Sequence, residues 1–99
     1  MDILGTATDR QPAVITVVHS PACHFCDDAQ AALEVLAGEL PFTVELLDAR
    51  QPRGAALLNE HRAGMYPLIL VDGAFFSVGR LPRKKLRKLL EARAAVAVA

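Results

Sequence analysis

The sequence predicts an α/β fold, a four-stranded mixed sheet with three helices in the order βαβαββα. Short apolar runs rich in β-branched residues alternate with segments of helical periodicity, which is typical of strands connected through helices. Asp72-Gly73 separates the last two apolar runs and favours a tight hairpin. Because helices connect parallel strands and hairpins connect antiparallel strands, the predicted sheet contains both kinds of pairing.

The first half of the chain predicts a strand, a helix and a second strand. Residues 13–19 contain an apolar run rich in β-branched residues, which indicates a buried strand. Apolar residues then recur at alternating steps of three and four, which predicts a helix from about residue 23 to residue 36 or 37. Gly38 is its predicted stop. Residues 42–47 predict the second strand.

The second half predicts a helix, a hairpin and a last helix. The first of these covers about residues 52–62, with Pro52 in its first turn and Gly64 as its end. The two strands and the last helix follow at residues 68–71, 74–78 and about 82–94. The domain therefore spans residues 13–94, between a flexible N-terminal arm at residues 1–12 and a frayed tail at residues 95–99.

The composition indicates one domain without an overall electrostatic bias. With 99 residues and an apolar fraction of 53%, the chain suffices for one core. The formal net charge is zero, which gives the whole molecule no attraction for nucleic acid or a membrane. The sequence shows neither a secretory signal pattern nor an apolar run of about 20 residues. We therefore expect a cytoplasmic monomer with no nucleic-acid or membrane partner.

The segment Cys23-His24-Phe25-Cys26 is the main functional signal. It contains the only two cysteines of the chain, and it lies between the first predicted strand and helix. Two thiols at this spacing can form a disulfide within one helical turn and break it again, which indicates a thiol–disulfide redox site. The alternative is a pair of buried, unreactive cysteines.

The chain resembles the glutaredoxin-like branch of the thioredoxin-like superfamily from about Ala13 to about Ala94. Three features match together: the Cys23–Cys26 dithiol, Pro67 at the start of the third strand, and the Asp-Gly turn after it. Ser20 and Met65-Tyr66 depart from glutathione-dependent members, which usually carry Lys and Thr-Val there. Glutathione, another small thiol and thioredoxin reductase therefore all stay open as the reductant.

The position of each cysteine predicts its role. Cys23 is the nucleophile, because backbone N–H groups and the helix dipole lower the pKa of a thiol at a helix N-terminus. Cys26 lies one turn further on the apolar face and is the resolving thiol. The resemblance implies a thiol–disulfide oxidoreductase that acts on protein disulfides or mixed disulfides. It needs no tightly bound cofactor, and a reductase or a low-molecular-weight thiol restores the pair.

Five residues are candidates for substrate binding: His24, Phe25, Tyr66, Pro67 and Arg80. A protonated His24 favours the thiolate and makes the pair more oxidising, although an exposed residue without consequence is the equal alternative. Phe25 offers an apolar contact or packs into the core. The resemblance implies a cis Pro67, which exposes the Tyr66 backbone for pairing with a substrate chain.

The last helix carries an uneven charge. Residues 80–93 hold seven basic residues and a single acidic one, so the rest of the chain has a net charge of −6. A solvated face explains most of this pattern. Arg80 and Arg83 stand at a helix start, however, where cations oppose the dipole. Binding a carboxylate-bearing thiol or an acidic partner is the functional alternative.

Two other function classes are compatible with the residues described above. A metal-binding or metal-delivery module would use both cysteines with His19, His24 or His61 as further ligands. A non-catalytic adaptor on the redoxin fold would bind its partner through the basic helix.

Overall fold

The computed structural model describes the backbone of residues 12–98 and the side chains of residues 12–95. The elements are β1 (Ala13–His19), α1 (His24–Ala37), β2 (Phe42–Asp48), α2 (Pro52–Glu60), β3 (Leu68–Val71), β4 (Ala74–Val78) and α3 (Arg83–Val98). This order confirms the predicted fold class. The predicted arm at residues 1–12 lies outside the described residues except for Pro12, as does Ala99 of the predicted tail. Within the described part, no helix has the length and apolar character to cross a bilayer.

The register of the sheet brings the functional segments to one edge. The strand order is β2-β1-β3-β4, with β1 parallel to β2 and antiparallel to β3. Val18 pairs with Leu68, and Leu68 pairs in turn with Val78. The end of β1, the start of β3 and the end of β4 therefore lie side by side. We call this edge, where the cysteine loop leaves β1, the dithiol edge.

The helices cover both faces of the sheet, as predicted. Successive strand residues point to opposite faces, so one strand supplies two cores. The larger core packs Ile15 and Val17 against α1 and α3, including Leu33 and Leu86. The smaller core packs alternate strand residues against α2 and the loop after it, and its members are Val18, Ala49, Leu68 and Leu70 with Leu47, Leu57, Leu58 and Ala63.

The turn between β3 and β4 is tied to two other elements. Asp72 and Gly73 both have positive φ angles, as a two-residue hairpin turn of the primed type requires. The Val14 N–H donates to the Asp72 carboxylate at 2.9 Å, and Arg93 of α3 donates to the same group. Partial burial raises the pKa of Asp72, but these donors outweigh it and hold the pKa below its usual value.

Two helix ends differ from their predicted positions. The last helix continues to Val98 instead of ending near Ala94. Helix α2 ends at Glu60, before the predicted Arg62, and Arg62 rather than Gly64 takes the left-handed conformation that stops it. The Ala63 N–H donates to Leu58 O at 2.9 Å and the Arg62 N–H to Asn59 O at 3.2 Å, the two bonds of a Schellman motif.

Arg62→Gly should therefore stabilise the protein. The left-handed conformation costs a residue with a side chain about 1 kcal/mol or more, and glycine avoids this cost. Glycine also has more conformational freedom in the unfolded chain, which offsets part of the gain. We expect the free energy of unfolding in urea to rise by about 0.5–1 kcal/mol. Arg62→Ala is the matched control, because it removes the same side chain without relieving the backbone. An equal gain in both variants would contradict this explanation.

Candidate active site

The two cysteines occupy the start of α1 at the dithiol edge. β1 ends at His19, a turn follows, and Cys23 is the N-cap of the helix with an extended backbone. The Cα atoms of Cys23 and Cys26 are 5.2 Å apart, and their sulfur atoms are joined as a disulfide. The sequence spacing therefore produces the geometry that a reversible disulfide needs.

The two sulfurs lie in different environments. Cys26 is only 1% exposed and faces the core, whereas Cys23 is partly exposed. The Cys26 N–H donates to the sulfur of Cys23 at 3.1 Å. In the reduced protein this N–H and the helix N-terminus stabilise negative charge on Cys23. The predicted difference in exposure between the two cysteines is therefore confirmed, and this is not a pair of two buried cysteines, while the roles of attacking and resolving thiol stay predictions.

His24 and Phe25, the residues between the cysteines, both face solvent. The Phe25 side chain is 40% exposed and lies outside both cores. Core packing therefore does not explain this aromatic residue, and it remains a candidate for contact with a substrate.

The loop before β3 adds two exposed apolar side chains to the dithiol edge. Tyr66 and Pro67 are joined by a cis peptide bond, as the resemblance implies, and the Pro67 ring is buried. Met65 is 51% exposed and Tyr66 is 41% exposed. Phe25 is likewise exposed on the segment that leaves β1 at this edge, and the name apolar rim is used below for these three side chains.

Met65 is a functional candidate that sequence reasoning missed. A Cβ atom at Gly79 would lie only 3.4 Å from Met65 Cε, so the Met65 side chain lies against a glycine with a positive φ. The Gly79 N–H donates to Pro67 O at 3.0 Å, which joins the end of β4 to the same loop. The only signal in the sequence was the departure of Met65 from the residue usual in glutathione-dependent glutaredoxins.

The basic residues before and within the first turn of α3 have different surroundings. Arg83 donates to the Asp28 carboxylate of α1, which explains a cation at this helix start. Arg80 directly follows Gly79 and is exposed. The sequence predicts that a cation at this helix start needs a stabilising contact. The ion pair with Asp28 is that contact for Arg83, whereas the structure describes none for Arg80.

The ligands of the metal hypothesis do not meet in the part of the chain that the structure describes. Across residues 12–98, no three or more Cys, His, Asp or Glu side chains are grouped closely enough to hold a metal ion. The His61 ring instead lies beside Phe75, with ring centroids 6.3 Å apart. The cysteine pair therefore lacks further ligands from the described residues.

Solved structures with a similar fold include two thioredoxin-like proteins. A single-substitution mutant of thioredoxin from Halobacterium salinarum aligns with a TM-score of 0.62 and 21% identity, covering 91% of this chain and 81% of that one. An uncharacterised thioredoxin-like protein from Clostridium perfringens aligns with a TM-score of 0.66 and 15% identity, covering 82% and 70% respectively. No protein-family model and no curated protein matches the sequence. The chain thus has the thioredoxin-like fold, with a Cys-X-X-Cys pair where β1 meets α1.

Proposed function

We propose that this protein is a dithiol–disulfide oxidoreductase, a glutaredoxin-like electron carrier that reduces protein disulfides or mixed disulfides. The observation that supports this most directly is the asymmetry of the pair. Cys23 is accessible and its sulfur accepts the Cys26 N–H, whereas the sulfur of Cys26 is shielded from solvent. A partner therefore reaches one sulfur only, and the second is held in place to complete the exchange.

The reaction takes place in two exchange steps. The Cys23 thiolate attacks one sulfur of the substrate disulfide, forms a mixed disulfide and releases the other substrate sulfur as a thiolate. The Cys26 thiol then loses its proton and attacks the sulfur of Cys23. This step breaks the mixed disulfide, releases the second substrate thiolate and forms the Cys23–Cys26 disulfide. Two electrons pass from the protein to the substrate, and the released thiolates take up protons.

The residues around the pair position the substrate. The apolar rim, Phe25, Met65 and Tyr66, offers exposed surface to the chain that carries the disulfide. The backbone of Tyr66 lies beside Pro67 and supplies hydrogen-bonding groups for an extended substrate segment. A protonated His24 would stabilise the Cys23 thiolate and make the pair more oxidising.

The oxidised pair must be reduced again by an outside donor. No tightly bound cofactor is required, because the two thiols themselves hold the two electrons that are transferred. A reductase or a low-molecular-weight thiol supplies them, which suits a reducing compartment such as the cytoplasm. In this proposal the protein works as a monomer.

Stoichiometric transfer tests the proposal. The protein is reduced, freed of reductant and mixed with a model protein disulfide, and free thiols are counted by maleimide labelling and mass spectrometry. We expect each chain to open one substrate disulfide while Cys23 and Cys26 become inaccessible to the label. Unchanged substrate with both protein thiols still free would refute a reducing role.

The reduction potential then distinguishes directions of transfer. A potential near about −270 mV is typical of disulfide reductants, and one near about −120 mV is typical of oxidants. Comparing recycling by thioredoxin reductase and by small thiols identifies the class of electron donor.

A further inference from the structure

The arginines within α3 are all engaged with carboxylates of the same chain. Arg83 binds Asp28, and Arg93 binds Asp72. Arg87 lies 2.9 Å from Glu39 and 3.8 Å from Glu91, and its guanidinium lowers the pKa of Glu39. These three cations attach α3 to the rest of the fold, and their charge is balanced locally.

The remaining cations of this segment have no such partner within the described part of the chain. Arg80, Lys84, Lys85 and Lys88 are exposed, and no carboxylate among residues 12–95 lies within ion-pair distance of them. The Lys85 ammonium lies 5.2 Å from the centre of the Phe76 ring, which gives that side chain a structural contact. The other three recur every four residues, and we call Arg80, Lys84 and Lys88 the cationic stripe.

The cationic stripe does not stabilise the helix. Lys84 and Lys88 are four residues apart on one helix face, where like charges repel. Lys84 also lies in the first turn, where the helix dipole favours an acidic residue and where α3 has none. An anion that is not part of the described chain would relieve this repulsion.

One end of the cationic stripe lies beside the dithiol edge. Arg80 follows Gly79, whose N–H donates to Pro67 O at the dithiol edge. From there the cationic stripe continues along α3, and Lys84 also lines a groove of about 170 Å³ between α1 and α3. The floor of this groove is apolar, with Ala32, Val35 and Leu36. A chain bound at the dithiol edge can extend along this surface.

We propose that the cationic stripe docks an acidic segment located beside the disulfide of a protein substrate, with an apolar side chain of that segment in the α1–α3 groove. Charge complementarity identifies this partner, because Arg80, Lys84 and Lys88 have no carboxylate partner among residues 12–95 and together suit several carboxylates in a row. The inference rests on the proposed function and adds a substrate class to it. The contact accelerates encounter and positions the substrate disulfide near Cys23.

Matched disulfide peptides test the docking. Three peptides carry the same disulfide and the same apolar residue, flanked by Glu, Ser or Lys. We expect kcat/KM for the acidic peptide to exceed that of the neutral one by about tenfold at about 0.01 M salt and to approach it at about 1 M. Equal rates for all three peptides, or rates independent of salt, would overturn the docking. Failure to reduce the neutral peptide as well would instead overturn the proposed function.

Variants of the cationic stripe provide a second measurement. The double variant Lys84→Gln/Lys88→Gln should lose most of the preference for the acidic peptide and keep the rate with the neutral one. Arg62→Gln is the control, because Arg62 is an exposed cation at the end of α2, on the other face of the sheet. A preference that survives the double variant, or that Arg62→Gln also removes, would contradict the assignment of the cationic stripe.

Reversing the charge of Lys84 distinguishes an effect on substrate docking from an effect on the stability of the fold. Lys84→Glu places an acidic residue in the first turn of α3, so we expect Tm to rise by about 2–4 °C. The same variant should show an at least fivefold lower kcat/KM for the acidic peptide than the wild type. A variant that becomes more stable without losing the acidic substrate would show that Lys84 does not contact the partner.

Discussion

Cys23→Ser should abolish disulfide reduction, with a loss in kcat/KM on the order of 10³-fold or more. The serine hydroxyl has nearly the shape of the thiol but carries no significant negative charge at neutral pH, and the thiolate is the attacking species. The fold should persist, because Cys23 is partly exposed and a serine is a favourable N-cap residue. The rate at which the variant reduces a model disulfide measures the effect. A circular dichroism spectrum equal to that of the wild type shows that the variant is folded.

Cys26→Ser is the paired variant with a different outcome. It leaves Cys23 able to attack, but it removes the thiol that releases the mixed disulfide. We expect a covalent one-to-one adduct between the variant and its substrate, visible by mass spectrometry and dissolved by excess dithiothreitol. If Cys23→Ser trapped the adduct instead, the roles of the two cysteines would be reversed. Wild-type activity in Cys23→Ser would remove the dithiol mechanism altogether.

The features predicted correctly from the sequence depend on local chemistry. The run at residues 13–19 matches the observed strand because consecutive β-branched residues favour a strand over a helix. The hairpin followed from Asp72-Gly73, because few other residue pairs adopt two positive φ angles. The asymmetry of the cysteines was predictable as well, since a residue three positions into a helix on its apolar face turns toward the core.

The features that sequence reasoning missed depend on contacts between distant segments. Arg62 takes the left-handed position that ends α2 because Leu58 and Ala63, on either side of this end, both pack against the smaller core. The sequence alone does not show which residues form that core. The partner of Arg83 is on another helix. Met65 became a candidate for substrate contact only because the structure places its side chain against Gly79. In each case the residue type allowed several environments, and the tertiary fold selected one.

Gly54 shows how such a contact reverses the expected effect of a mutation. In the middle of an exposed helix, Gly→Ala usually stabilises a protein by about 1 kcal/mol. Gly54 is in α2, but it is buried, and a Cβ atom there would collide with the carbonyl group of Asp48, lying 2.9 Å from its carbon and closer still to its oxygen. The Asp48 carbonyl cannot move away easily, because Asp48 is the last residue of β2 and pairs with His19 of β1. The strain should exceed the gain in helix propensity.

We therefore expect Gly54→Ala to lower the free energy of unfolding by about 2 kcal/mol or more. Urea denaturation followed by circular dichroism measures the change. Gly64→Ala is the control, because a Cβ at Gly64 has no atom within 4 Å and this glycine lacks a positive φ. That variant should keep the stability of the wild type or gain about 0.5 kcal/mol. If Gly54→Ala also proved neutral, α2 would have to move away from the end of β2, and the close contact that we describe would not constrain the fold.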